Sequence, residues 1–166
     1  MTLTKSLELS LWFGGAFLFA SLVEYWMHRA MHKFPKTFKT HTEHHVKNTG
    51  QGVLQEFLSY VKTSLIAFLP PFFYSWQAGV AWSLGAIVFA AFSAYAHQLQ
   101  HDNPRYCAWM KMPVHYVHHR YNQWHHNFGL GVDWWDKVFG TYKPVEWVEE
   151  AEEKFPGGGY LEVKWR

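Results

Sequence analysis

The amino-acid sequence predicts an all-α integral membrane protein, a helical bundle with about three membrane-embedded helices and a histidine-rich helical cap. The chain has 166 residues, of which 49% are hydrophobic and only 17% are charged. Soluble domains usually have about 25% charged residues, so this shortage favours a membrane. The second observation is that the 12 histidines fall into three short windows, 28–45, 97–101 and 115–126, outside the longest uncharged stretch.

The first apolar stretch, Leu9 to Val23, contains 15 uncharged residues and continues through Glu24, Tyr25, Trp26 and Met27. Tyr and Trp suit the membrane interface, so we expect this stretch to span the bilayer. A buried core helix of a soluble protein is the alternative for each stretch. A cleaved signal peptide is disfavoured because no small-x-small cleavage site follows and the stretch runs directly into histidines.

The second and third stretches differ in continuity. Residues 57–76 contain Lys62, Pro70 and Pro71, which predict a kink or an early stop of the helix. Ala78 to Ala96 contains 19 residues without Asp, Glu, Lys, Arg or His. About 20 apolar residues of helix cross a hydrocarbon core of about 30 Å, so this stretch is expected to span.

The distribution of basic residues predicts an orientation. Five lie between His28 and Glu56 and eight follow His97, whereas only one precedes the first stretch. Positive residues favour the cytosolic side, so all histidines are expected on that side. The membrane domain is expected over residues 1–147, followed by a polar tail over 148–166 that contains Glu149, Glu150, Glu152, Glu153 and the Gly157–Gly159 run.

The remaining composition excludes several classes of function. A net charge of +2 gives no basic face for nucleic acid, so no nucleic-acid partner is expected. A single cysteine, Cys107, excludes an internal disulfide and every zinc or iron–sulfur site built from several cysteines. Histidine is therefore the abundant metal-binding residue.

Ten histidines follow two spacing rules. On a helix, residues four apart are separated by about 40° in projection, so each HxxxH pair and each HxxHH triplet shares one face. The four motifs are His28-x-x-x-His32, His41-x-x-His44-His45, His97-x-x-x-His101 and His115-x-x-His118-His119.

Crowded neutral imidazoles need partners for their nitrogens, and metal cations supply them. Ten nitrogens exceed the four or five positions around one zinc and indicate a dinuclear site. Imidazole suits several metals, but attack on lipid C–H bonds requires redox chemistry, which favours iron with dioxygen. Hydrolysis of a lipid headgroup by zinc is the alternative.

Three further residues are candidates for supporting the ligands. Glu24 lies four residues before His28 and could accept its imidazole N–H, or it could be a carboxylate at the membrane edge. His125 and His126 lie outside the two spacing rules. They are interpreted as hydrogen-bond donors behind the ligands, with direct metal binding as the alternative.

The order HxxxH, HxxHH, HxxxH, HxxHH resembles the fatty acid hydroxylase and sterol desaturase superfamily of membrane-bound, histidine-rich, non-haem diiron oxygenases. Trp135-Asp136-Lys137-Val138-Phe139-Gly140-Thr141 is similar to its WDxxFGT segment, and Asn127-Phe128-Gly129 to the step before it. The resemblance covers about residues 20–145. It implies that the ten motif histidines are direct ligands and that no separate protein nucleophile or acid is needed.

The resemblance also implies a helical membrane enzyme with a cytosolic cap that holds two iron ions, with zinc as a substitute and dioxygen as co-substrate. Hydroxylation or desaturation of a lipid chain follows, the substrate being a fatty acyl or sphingolipid-type chain or, alternatively, a carotenoid or sterol-type isoprenoid. The electron donor, of ferredoxin or cytochrome b5 type, is separate. A membrane metal-binding or transport protein and a bis-histidine haem protein are the alternatives of other classes.

Overall fold

The computed structural model describes residues 2–148, and its regular elements in this range are all helical. The predicted all-α class is confirmed. The α-helices are α1 (Leu3–Lys33), α2 (Lys39–Lys47), α3 (Val53–Ser64), α4 (Trp76–Asp102), α5 (Val114–Arg120) and α6 (Trp134–Val138). Short 3-10 turns cover Leu65–Phe68, Pro70–Phe73 and Pro104–Tyr106.

Two helices of the described range, α1 and α4, are long and apolar enough to cross a membrane. Each begins at a side-chain cap, where Thr2 accepts a hydrogen bond from the Lys5 amide and Ser75 from the Ala78 amide. In the most apolar window of α1 only 11% of the residues are buried, and in that of α4 39%. Water would penalise such exposed apolar surface, so these helices have the surface of membrane spans rather than of a soluble core.

Helices α1 and α4 pack closely along their length. Phe17 and Phe89 meet edge to face with their ring centroids 5.0 Å apart. Gly85 allows the backbones to approach, because a Cβ at this position would collide with the Phe13 carbonyl oxygen. Helices α1 and α4 therefore form a closely packed pair against which other elements of the chain pack.

The segment between the two long helices is interrupted, as the prolines predict. Helix α3 has 12 residues, or about 18 Å of length, and ends at Ser64, where 3-10 turns take over. It is too short to cross a hydrocarbon core of about 30 Å. The described range therefore has two candidate spans, and the predicted count of about three is not confirmed.

The remaining helices gather at one end of the α1–α4 pair. Helix α2 ends at Lys47 and is followed by Asn48, which adopts a left-handed conformation with φ 49°. Around α5 lies a small apolar core formed by Leu99, Cys107, Met110, Met112, Val114, Tyr116 and Val117. The predicted tail over 148–166 lies outside the described residues apart from Val148.

Candidate metal centre

The four histidine motifs all lie on helices, as their spacing predicts. The HxxxH pairs lie at the ends of α1 and α4, and the HxxHH triplets make up much of α2 and α5. The structure brings eight of these histidines into two groups of four, and within each group the ligand atoms lie within 4.8 Å of one another. The first group contains His28, His32, His45 and His118, and the second contains His44, His101, His115 and His119.

The two other motif histidines adjoin one group each. The Nε2 atom of His41 lies 3.0 Å from that of His32 and 3.2 Å from that of His45, in the first group. The Nε2 atom of His97 lies 3.3 Å from that of His44, in the second group. All ten motif histidines are thus gathered, five on each side.

The two groups share a wall made by α2 and α5. Adjacent histidines on these helices belong to different groups: His45 and His118 to the first, His44 and His119 to the second. The rings of His45 and His119 stack between the groups, with centroids 3.9 Å apart and an interplanar angle of 7°. The arrangement offers two adjacent binding positions.

The imidazole Nε2 atoms that face each other carry too few protons for all of them to form hydrogen bonds with one another. The Nε2 atom of His32 lies 3.0 Å from that of His118 as well as from that of His41, and 3.1 Å from that of His28. A neutral imidazole has one donor and one acceptor nitrogen, so it cannot bond with three such neighbours. A cation between the nitrogens would satisfy all of these lone pairs.

Other ring nitrogens in the same region are buried without a hydrogen-bond partner. Within the described residues these are both ring nitrogens of His119 and the Nδ1 atoms of His32 and His115. Burial of an unpaired polar atom costs about 1–3 kcal/mol. The donor set therefore fits two metal ions.

Backbone carbonyls orient several of the rings. The Nδ1 atom of His28 donates to the Phe128 carbonyl at 2.6 Å, and that of His118 donates to the His126 carbonyl at 2.7 Å. His44 donates in the same way to the Thr49 carbonyl at 2.8 Å. Because Nδ1 carries the proton in each case, Nε2 keeps its lone pair and points at the neighbouring histidines.

Burial and mutual repulsion favour the neutral form of the histidines on α2 and α5. Desolvation, followed by neighbouring imidazoles, lowers the pKa of His41 to about 2 and that of His45 to about 4. The pKa of His118 falls to about 3, chiefly through burial. Neutral imidazole is the form that binds metal, so these side chains are ready as ligands at neutral pH.

Glu56 is a supporting residue that sequence reasoning missed. Its buried carboxylate lies 3.5 Å from the Nδ1 atom of His97 and also accepts a hydrogen bond from Gln51. It lies far from His97 in sequence and in no motif, so no spacing rule could have identified it. Glu56 pairs with the imidazole of His97, as the carboxylate of Glu24 was expected to pair with that of His28.

The predicted contact between Glu24 and the His28 imidazole is wrong. The Glu24 carboxylate instead accepts hydrogen bonds from the amides of Leu130, at 2.9 Å, and Gly131, and from the Ser93 hydroxyl. The imidazole of His28 has a different acceptor, the carbonyl of Phe128. Glu24 therefore supports His28 only indirectly, through the loop over residues 128–131.

That loop is held from two further sides. Asp136 is buried and accepts from the amides of Phe128, at 2.8 Å, and Gly129, at 2.7 Å, and from the Thr141 hydroxyl, at 2.6 Å. Gln100 donates to the Leu130 carbonyl at 2.6 Å and accepts from the His115 amide at 2.8 Å. The WDxxFGT-like segment thus fixes the loop that orients His28.

His125 and His126 are not found in the predicted role of side-chain donors. The side chain of His125 is exposed, and His126 contributes its backbone carbonyl, which accepts from His118. The neighbouring Trp124 was not singled out from the sequence. Its ring centroid lies 4.3 Å from that of His32 and 5.3 Å from that of His45.

A cavity of about 670 Å³ connects the histidines with the apolar part of the molecule. Along α4 it is lined from Trp82 to His97, which is about 22 Å of helix. Its histidine end is lined by His28, His41, His44, His97 and His115, and its far end by Phe19, Phe68, Trp82 and Phe89. The arrangement can place a long apolar molecule against the candidate metal site.

Comparison with known proteins agrees with this architecture. No curated protein and no solved structure gives a significant match. A family model described as fatty acid hydroxylase matches residues 13–141, more than three quarters of the chain, and includes every histidine motif. The chain therefore belongs to the fatty acid hydroxylase family, an oxidoreductase family of membrane-bound enzymes.

Proposed function

We propose that this protein is an oxygen-dependent lipid hydroxylase or desaturase that uses two iron ions held by its ten motif histidines. The observation that carries the proposal is the cavity, which joins five of these histidines to an apolar region lined by α1 and α4. A hydrocarbon chain has few groups that can be hydrolysed. A metal site at the end of an apolar cavity is therefore suited to oxidation of a C–H bond.

The ligands divide between the two ions as the groups divide. His28, His32, His41, His45 and His118 would hold one ion, and His44, His97, His101, His115 and His119 the other. The redox chemistry that activates dioxygen and removes hydrogen from a C–H bond would come from the bound iron. Zinc could occupy the same nitrogens but would not support this chemistry.

The chain's own residues orient the ligands and shape the cavity. Carbonyls at Thr49, His126 and Phe128 fix the imidazole tautomers, and Glu56 fixes His97. Apolar walls exclude water from the substrate chain. The substrate is a fatty acyl or sphingolipid-type chain, which the roughly 22 Å of lining along α4 accommodates in an extended form.

The proposed topology places the metal site on the cytosolic side. Helices α1 and α4 span the bilayer, and α3 with the following 3-10 turns forms the third, embedded but not spanning, element. The α1–α2 region carries Arg29 and four lysines, and positive residues favour the cytosol. The histidine helices then form a cytosolic cap.

A metal transporter is the competing proposal from another class. Transporters place their ligands near the membrane midplane. Here the histidines of α1 and α4 lie at the ends of these helices, and the apolar stretches 9–23 and 78–96 contain no histidine. This placement supports an enzyme.

Lipid profiling tests the proposal. We expect a lipid-rich host that expresses the wild type, but not the His118→Ala variant, to accumulate a lipid heavier by about 16 Da, the mass of one oxygen atom. A lipid lighter by about 2 Da would identify a desaturase. If the new product were found in the isoprenoid fraction, the substrate would be a carotenoid or sterol. Identical lipid profiles from iron-loaded wild type and variant would overturn the proposal.

A further inference from the structure

The connection between α1 and α2 carries a cluster of exposed positive charge. Lys33, Lys36 and Lys39, here called the lysine surface, are all exposed. Lys33 lies over the ring of Phe34. None of the three lysines is in an ion pair found among the described residues. Glu43 is the only acidic residue in the sequence between positions 29 and 55. The surface therefore presents uncompensated positive charge.

The lysine surface adjoins the first histidine group. Lys33 directly follows His32, and Lys39 begins the helix that carries His41 and His45. Trp124, which is partly exposed, packs against His32 and His45. The lysine surface therefore lies at the junction of the two helices that carry His32, His41 and His45.

The proposed reaction requires such a molecule. When one atom of dioxygen enters a C–H bond and the other leaves as water, two electrons and two protons must be supplied. The only cysteine, Cys107, is buried, and its desolvation raises the pKa of the thiol to about 12, so it is not a redox-active thiolate. The electrons must come from another molecule.

We propose that an acidic one-electron carrier docks on the lysine surface and delivers the two electrons in successive encounters. The carrier is oxidised by one electron in each encounter. This inference rests on the proposed oxygenase function. Charge complementarity supports it, because such charges raise the rate of encounter and select the partner.

Anionic lipid headgroups could be attracted by the same lysines, because Lys33 ends a membrane helix. One feature favours the carrier. The lysines continue beyond the end of α1 onto α2, the helix that carries His41 and His45. The lipid alternative predicts no effect of the lysines on carrier binding in a neutral bilayer.

The test measures binding without turnover. Full-length protein loaded with redox-inert zinc, in discs of neutral lipid, is titrated with an acidic plant-type [2Fe–2S] ferredoxin at low and high ionic strength. We expect the Lys36→Glu/Lys39→Glu variant to bind at least about tenfold more weakly at low salt, and the difference to shrink at high salt. The matched control, Lys111→Glu/Lys143→Glu, changes the net charge equally at two exposed lysines outside the surface and should stay within about twofold of wild type.

Equal weakening in both variants, or unchanged binding in the first, would overturn the docking proposal. A second measurement separates it from the proposed function. In iron-loaded protein, the Lys36→Glu/Lys39→Glu variant should lose ferredoxin-driven product formation but keep product formation driven by dithionite. Absence of dithionite-driven product in the wild type would count against the oxygenase itself, whereas equal ferredoxin-driven rates would count against the lysine surface alone.

Discussion

The two ends of the α1–α4 pair are stabilised in different ways. At the membrane end, apolar side chains face outward and the helices meet through aromatic rings and a glycine. At the histidine end, buried polar groups depend on individual hydrogen bonds, such as those of His28 and Asp136. The first arrangement tolerates many apolar residues, whereas the second requires particular ones. Substitutions at the membrane end should therefore lower stability alone, whereas substitutions at the histidine end should also weaken metal binding.

The largest effect is expected from His118→Ala. His118 contacts both His32 and His45, so its loss opens the first group. We expect loss of bound metal and a fall in activity of about 100-fold or more. Elemental analysis of purified protein with a product assay measures both.

His125→Ala is the matched control for that variant, because His125 is exposed and lies in the same segment of chain. It should retain its metal content. If it lost as much metal as His118→Ala, His125 would have to be counted among the ligands.

Acid should destabilise the histidine end of the metal-free protein. The folded-state pKa values of His44 and His45, each lowered to about 4, lie below the value of about 6.5 in an unfolded chain. The unfolded chain therefore binds more protons between these values, and stability present above about pH 6.5 is lost as the pH falls toward 4. Proteolysis of the cap across a pH series in detergent measures this loss.

Zinc-loaded protein is the control for the acid series. Bound metal holds the imidazoles neutral, so the acid transition should move to lower pH. Equal susceptibility of the metal-free form at pH 7 and pH 4 would show that the histidines do not control stability.

Asp136→Asn should destabilise the loop that orients His28. The two carboxylate oxygens accept hydrogen bonds from two amides and a hydroxyl. Asparagine has only one acceptor oxygen, because its NH₂ group is a donor. We expect a loss of about 3 kcal/mol in unfolding free energy, together with weaker metal binding. Denaturation and metal competition assays measure the two effects. The control variant Glu146→Gln, at an exposed position, should change neither quantity. If Asp136→Asn lowered stability but not metal affinity, the loop would not contribute to metal binding.

Gly85→Ala should produce the smallest effect and the opposite pattern. Its Cβ would meet the Phe13 backbone, and overpacking of this kind costs about 1–3 kcal/mol. Metal stoichiometry should be retained, because the contact lies at the membrane end. Gly14→Ala, where the added Cβ meets nothing within 4 Å, should not lower thermal stability. Metal loss in Gly85→Ala would show that the two ends are not independent.

The sequence predicted those features that depend on periodicity within one helix. The Leu9–Val23 and Ala78–Ala96 stretches led to the candidate spans in α1 and α4, and the HxxxH and HxxHH spacings led to the shared helix faces of the histidines. Contacts between elements were not predictable in this way. The partner of Glu24 is an amide in the 128–131 loop, and that of His97 is a carboxylate on α3. Such pairings depend on how helices and loops pack, which spacing within a helix does not encode.

The separation of neighbouring histidines has a consequence for assembly. His44 and His45 sit side by side on one rigid helix yet serve opposite halves of the centre, and His118 and His119 repeat this on α5. A metal ion bound in either group would immobilise both helices and so order the ligands of the other group. We therefore expect the protein to bind its metal ions with few intermediates in which only one group is occupied. A substitution that weakens metal binding in one group should also weaken it in the other.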